Sequence, residues 1–410
     1  MGASTRGAAA GSEPRAGATA ATKLRPPAAP ASLLPRDRLL GLLEAAVERR
    51  LTTVVAEAGF GKSTLLAAWA SGLNSAWYTA SSDDVSLPSF ARGIADAVRL
   101  RVPALPVDAA GAITAASGPG AEEDDAARAR GFVALVCETL QSELSRDLVL
   151  IVDDLQEIAR SAGPAQLIES LCRQAPERLH VVLASRADLP FPIERLRGQG
   201  QVLEITGSQL AFDDGETAAL VEALVGPVDA DVARELQRVT GGWPAAVRLA
   251  VEALRSAEPD AREPALEQMR RPGGPLLSYL AAEVFAQEPP EVATLVRKVA
   301  ALERFTAELC GELGVPRAAE LLESLARRGL FVELQGPTGG WYALGAPVRE
   351  FALAQLEPSE SELREVRVTA ARWFEEQLAP DDALRCLSPS TDAEETASLL
   401  TRHGGALLAR

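Results

Sequence analysis

The first half of the chain alternates short apolar runs with stretches of helical periodicity. Leu51-Thr-Thr-Val-Val55, Ala76-Trp-Tyr-Thr79, Leu148-Val-Leu-Ile-Val152, His180-Val-Val-Leu-Ala-Ser185 and Val202-Leu-Glu-Ile-Thr206 read as strands. Before and between them, Arg38–Arg50, Ser63–Leu73, about Pro88–Leu100, Gly131–Leu144 and Pro164–Gln174 carry the spacing of amphipathic helices. Strands and helices of this length in alternation predict a parallel sheet with helices on both faces. From Asp213 the pattern is helical only, through Glu216–Val225, Asp231–Val239 and Ala245–Arg255. Leu276–Leu356 has three helical segments, then Phe331-Val-Glu-Leu-Gln335, the turn Gly336–Gly340 and Trp341-Tyr-Ala-Leu344. Helices followed by a β-hairpin is the order of a winged helix, and the segment from Ser359 is helical again.

One junction in this pattern carries chemistry. Ala56-Glu-Ala-Gly-Phe-Gly-Lys-Ser-Thr64 sits between a buried strand and a helix, the context a phosphate-binding loop requires. Its backbone N–H groups (Ala58, Gly59, Phe60, Gly61, Lys62, Ser63, Thr64) and the helix N-terminus can cradle phosphate oxygens. Lys62 can reach the β- and γ-phosphates, and the Ser63 hydroxyl can ligate Mg²⁺. The pattern G-x-x-x-x-G-K-[ST] is missed at one position, where Ala56 replaces Gly. The most hydrophobic strand of the chain ends on Asp153 and Asp154, with Asp153 91 positions after Lys62. Asp153 is placed as the aspartate of the Mg²⁺ shell, and Asp154 as the group that orients or deprotonates an attacking water. No guanine-reading motif occurs at Ala184–Asp188, so the expected nucleotide is ATP, or ADP after hydrolysis. Arg186 follows a strand at the sheet edge where ligands collect, and reads equally as a γ-phosphate sensor or a surface arginine. Gly241-Gly-Trp-Pro244 reads first as an ordinary turn between helices.

The expected organisation is a disordered leader at 1–33, a P-loop ATPase domain at 34–212 and a helical subdomain at 213–257. A linker at 258–275, a winged helix at 276–357 and a helical segment at 358–410 follow. Within the ATPase domain, Pro103–Arg128, with its acidic Glu122–Asp125, reads as a flexible insertion.

Bulk composition excludes several classes. A net charge of −16 argues against a large nucleic-acid surface. The candidate recognition helix, Arg317–Arg328, mixes Glu320 and Glu323 with three arginines, so direct DNA binding is not expected. No run of about 18 apolar residues exists, so neither is a membrane span. Four scattered cysteines and two histidines offer no zinc spacing and suit a reducing cytoplasm. A P-loop kinase would need an Arg-rich lid near the sheet, and none is evident.

These residues together resemble the signal-transduction ATPases with numerous domains, specifically the MalT-like large ATP-binding regulators of the LuxR type. The resemblance rests on Leu34-Pro-Arg-Asp-Arg-Leu-Leu40, Ala56–Thr64, Ala76–Thr79, Leu150-Ile-Val-Asp-Asp154, Val182–Pro190, Thr240-Gly-Gly-Trp-Pro-Ala245 and Gly340-Trp-Tyr342, in that order. It implies a P-loop core, a helical subdomain and a winged helix that close over ADP at rest and open with ATP to self-associate, under an unidentified inducer. It accounts for Ala56, brings the loop Gly242-Trp243-Pro244 to the adenine side, makes Arg186 a sensor, and places Arg36 or Arg38 near the nucleotide. Two departures stand out. Gly345 occupies the place of a family His, which leaves a catalytically silent, nucleotide-bound scaffold as the alternative to a slow ATPase. Full-length members also continue into helical repeats and a helix-turn-helix, so a fragment or a shortened relative is expected.

Overall fold

The computed structural model describes residues 19–28, 34–107, 109–113, 121–227, 229–258, 261–336, 340–388 and 390–408. Helix α1 (Asp37–Glu44) leads into β1 (Leu51–Val55), α2 (Lys62–Ala70), β2 (Ser75–Thr79) and α3 (Leu87–Arg99). Then come α4 (Ala121–Glu143), β3 (Leu148–Asp153), α5 (Ala162–Gln174), β4 (Leu179–Ser185), α6 (Glu194–Gly198), β5 (Val202–Thr206) and α7 (Gly207–Leu210). All five strands are parallel, in the order β2-β3-β4-β1-β5. The uninterrupted apolar runs of β1, β3 and β4 are buried along their whole length, as a sheet covered on both faces demands. This order sets the ends of β1, β4 and β3 side by side at one sheet edge, where ligands of open α/β folds collect.

The remainder is mostly helical: α8 (Asp214–Val225), α9 (Ala230–Thr240), α10 (Pro244–Ser256), α11 (Arg262–Arg270) and α12 (Pro275–Tyr279). Helices α13 (Pro290–Val299), α14 (Ala307–Glu312) and α15 (Ala318–Arg328) then precede the antiparallel hairpin β6 (Val332–Gln335) and β7 (Trp341–Leu344), forming the winged helix. The chain closes with α16 (Ala346–Gln355), α17 (Glu360–Glu376), α18 (Pro380–Cys386) and α19 (Ala393–Leu408).

Two apolar cores organise these parts. One packs α3, α4 and α5 on one sheet face through Phe90, Phe132 and Ile168. The other begins on the opposite face at Leu66 and Val182, and runs without a break through Trp243 and Leu276 to Phe331 and Phe374. A shared core ties the winged helix to the sheet far more firmly than a solvated linker could.

Three segments are more ordered than their composition predicts. Within the stretch read as a leader, Lys23 pairs with Asp84 at 2.7 Å and its carbonyl accepts from the Thr79 N–H at the end of edge strand β2. Most of that leader, 1–18 and 29–33, lies outside the described residues, as does the hairpin turn at 337–339. The insertion contributes Leu105, Ala109 and Ile113 to the core, and α4 starts at Ala121 rather than Gly131. The supposed linker holds α11, because Leu266 and Met269, three residues apart, fall on one helical face and are buried.

Candidate functional site

The loop after β1 turns through two glycines in the left-handed region, Gly59 and Gly61, both at φ 77°. Only glycine fits at 59, because an added Cβ would lie 2.5 Å from the Ala245 Cβ. The neighbour that presses on it is the Gly241–Ala245 segment, which reaches back onto the loop. The Trp243 Nε1 donates to the Ala58 carbonyl at 2.9 Å, and the Ala245 N–H donates to the Gly59 carbonyl at 3.0 Å. The Gly242 carbonyl accepts from the Phe212 N–H at 2.8 Å. Pro244 opens α10 and lines a cavity of about 480 Å³ with Gly59, Phe60, Gly61, Thr64 and Phe212. The resemblance puts Trp243 on the adenine side with Gly242 and Pro244; its bond to the Ala58 carbonyl has no local sign in the sequence.

Lys62 folds its ammonium back onto its own loop, donating to the carbonyls of Ala56 at 2.7 Å and Glu57 at 3.0 Å. Burial lowers its pKa to about 8, Glu57 opposes that shift, and the nearby Arg186 charge adds to it. The end of β3 supplies the acids. Asp153 is buried and bonded to Ser63; burial raises its carboxyl against that bond. Asp154 adopts the left-handed conformation (φ 55°, ψ 41°), rare for a residue with a side chain, and its N–H donates to Asp153 Oδ1 at 3.0 Å. Thus the fold brings Lys62, Ser63, Asp153, Asp154 and Arg186 close together.

The two weaker candidates separate. Arg36 lines the cavity, but its guanidinium pairs with Glu216 at 2.7 Å and lies 4.5 Å over the Phe212 ring. Arg38 does not line that cavity; it donates to the Gln209 carbonyl and pairs with Asp213 at 3.7 Å. Arg36 is therefore committed to joining α1 to the helical segment.

The winged helix meets the phosphate-binding loop directly. Arg328, the last residue of α15, pairs with Glu57 and Glu288, and all three side chains are buried. The Arg328 carbonyl also accepts from the Glu57 N–H at 3.1 Å. Burial pushes the Glu57 carboxyl up to about 7; Arg328 pulls it down, while Glu288 pushes it further up. Neighbouring Arg327 makes a bidentate pair with Asp188, beyond β4, both contacts at 2.8 Å. Arg317 pairs with Glu320. All three arginines of the candidate recognition helix therefore have intramolecular partners. Gly345 is explained by packing, since a Cβ there would lie 2.2 Å from the Leu330 carbonyl oxygen. A histidine at that place would require the backbone at Leu330 to move.

Among the described residues no group of three or more His, Cys, Asp or Glu could hold a metal by itself. No helix among them is long and apolar enough to cross a membrane. The four cysteines are free.

Comparison with known proteins agrees with this architecture. Residues 34–184 match the AAA ATPase domain, and residues 281–364 match the MalT winged helix domain. The serine/threonine-protein kinase PknK of Mycobacterium tuberculosis is 30% identical over 388 residues, covering 91% of this chain and 34% of that protein. The HTH-type transcriptional regulator MalT of Serratia proteamaculans is 28% identical over 310 residues, 75% of this chain and 33% of that protein. The chain thus spans about a third of the length of the curated relatives it matches. In fold it resembles a Walker-type ATPase of Pyrococcus abyssi, with a TM-score of 0.52 at 15% identity, covering 80% of this chain and 98% of that one.

Proposed function

Starting from a chain that joins an AAA ATPase domain to a MalT winged helix and is homologous to the MalT-like ATP-binding regulators, we propose that it is their nucleotide switch. ADP holds the closed arrangement described above, and ATP favours an open one that self-associates in the cytoplasm under control of a regulatory partner. The observation that carries this reading is the buried Glu57–Arg328–Glu288 contact, which makes the loop that grips phosphate and the winged helix parts of one structure. A change in the loop on binding a γ-phosphate then reaches the winged helix without an intervening linker.

The residues fit a nucleotide and Mg²⁺. Asp153 and the Ser63 hydroxyl are hard oxygen donors beside the loop, and the cavity next to Phe60 and Pro244 takes the base. Bound Mg²⁺ would neutralise phosphate charge. Gly59 to Thr64 present N–H donors to the phosphates, Lys62 turns from its own carbonyls to the β- and γ-oxygens, and Arg186 senses the γ-phosphate. Asp154 accepts the proton of a water that attacks the γ-phosphorus. The bond to the β–γ bridging oxygen breaks, and its electron pair leaves with ADP. The intramolecular pairing of Arg317, Arg327 and Arg328 supports a structural winged helix rather than a DNA reader.

The free-state pKa of Lys62 gives this reading a pH test. Phosphates hold the ammonium charged, so above pH 8 binding must take up a proton. Affinity for ATP should be flat below pH 8, then fall by up to about tenfold per pH unit above it. Fluorescent-nucleotide titrations at pH 7 and pH 9.5 measure this; equal affinities would detach Lys62 from the phosphates. Release of inorganic phosphate in a single turnover separates the slow ATPase from a silent scaffold, which releases none.

A further inference from the structure

Beyond the last ladder pair between β3 and β4, Val152 with Leu183, a side chain links the residues that follow the two strands. Gln156 lies in the single 3₁₀ turn Leu155–Ile158 that follows the paired acids. Its Oε1 accepts from the Arg186 N–H at 3.0 Å, and its Nε2 donates to Asp154 Oδ1 at 2.9 Å. A backbone N–H can only donate, so the amide oxygen must face Arg186 and the NH₂ must face Asp154. The orientation of the amide is thereby fixed by chemistry. One oxygen of Asp154 is occupied, which leaves the other for a proton from water.

We propose that Gln156 is a positioning residue for hydrolysis, coupling the base at the end of β3 to the sensor at the end of β4. The proposal rests on the ATPase reading above and adds a residue outside every phosphate-binding motif. Asp154 needs such help. Its left-handed backbone carries a conformational cost, and its side chain caps no helix, so little else fixes where the carboxylate points. The same amide fixes the backbone from which Arg186 projects. A displacement of Arg186 by the γ-phosphate is therefore transmitted to Asp154 through two hydrogen bonds. Base and sensor act as one unit, which restricts proton removal to the state in which the sensor is seated.

Two substitutions separate this role from simple support of the strand ends. Gln156→Glu keeps size and the acceptor toward Arg186, but sets a second carboxylate against Asp154 and loses the donor. Gln156→Leu removes both bonds; Gln156→Asn, one methylene short, is the second probe if the leucine variant fails to fold. With the whole chain and Mg-ATP, each variant should bind ATP within about threefold of wild type. Single-turnover phosphate release should fall by about tenfold or more, part of what a well-placed base contributes. Unchanged phosphate release in the variants overturns the proposal. So does a parallel loss of ATP binding and hydrolysis, which marks a purely structural residue. Wild-type chain that binds ATP yet releases no phosphate overturns it too, while nucleotide binding stands. Failure of wild type to bind ATP at all would instead sink the P-loop reading beneath it.

Discussion

Lys62→Ala is expected to weaken ATP binding by about a hundredfold or more, while the chain stays folded. Charge-assisted hydrogen bonds contribute about 1.5–3 kcal/mol each, and the ammonium can make two to the β- and γ-phosphates. In the free chain those two bonds go to the Ala56 and Glu57 carbonyls. Their loss loosens the loop but leaves β1 and α2 packed, because Val54, Leu65 and Leu66 remain buried. Melting temperature should therefore move little while the binding isotherm flattens. Calorimetric titration with Mg-ATP measures the effect. Retained affinity in this variant would remove the loop from nucleotide binding altogether.

The second large effect lies in the winged helix. Arg328→Ala removes the cation that the buried Glu57 and Glu288 side chains share, a change that costs about 3–5 kcal/mol in comparable sites. It also removes a side chain that bridges the phosphate-binding loop and α15. Destabilisation should thus come with altered nucleotide binding, although residue 328 is far from the loop in sequence. Adding Glu57→Gln should recover part of the stability, because one of the two orphaned charges goes with it. Denaturant unfolding of the single and double variants gives the coupling. Additive effects within a few tenths of a kcal/mol would mean that the two side chains do not act together.

Local pattern carried much of this architecture. Five apolar runs gave five strands, and a buried strand ending in Asp153-Asp154 beside a Gly-Lys-Ser loop located the centre of the site. Gly59 and Gly61 announced the turn because no other residue reaches that backbone region cheaply. Contacts between distant positions left no such trace. Trp243 bonds a carbonyl 185 residues earlier, and nothing in the Gly-Gly-Trp-Pro run says which carbonyl. Glu57, seen alone, is an unremarkable loop residue. Only packing against α15 turns it into half of an interdomain contact. Helix α11 and the early start of α4 were masked by Pro, Gly and acidic residues, whose local preferences yield to the burial of Leu266, Met269 and Ala129. The resemblance places Arg36 or Arg38 near the nucleotide, but nothing local to either residue reveals that Glu216 and Phe212 hold Arg36.

Hydrogen exchange of the whole chain, saturated either with ADP or with a non-hydrolysable ATP analogue, tests the switch most directly. The amides to follow are those of α15 and of the Ala56–Thr64 loop. If nucleotide state governs the closed arrangement, both segments stay protected with ADP, and α15 exchanges faster with the ATP analogue. Identical exchange of α15 in the two complexes, with both nucleotides bound, would contradict the account.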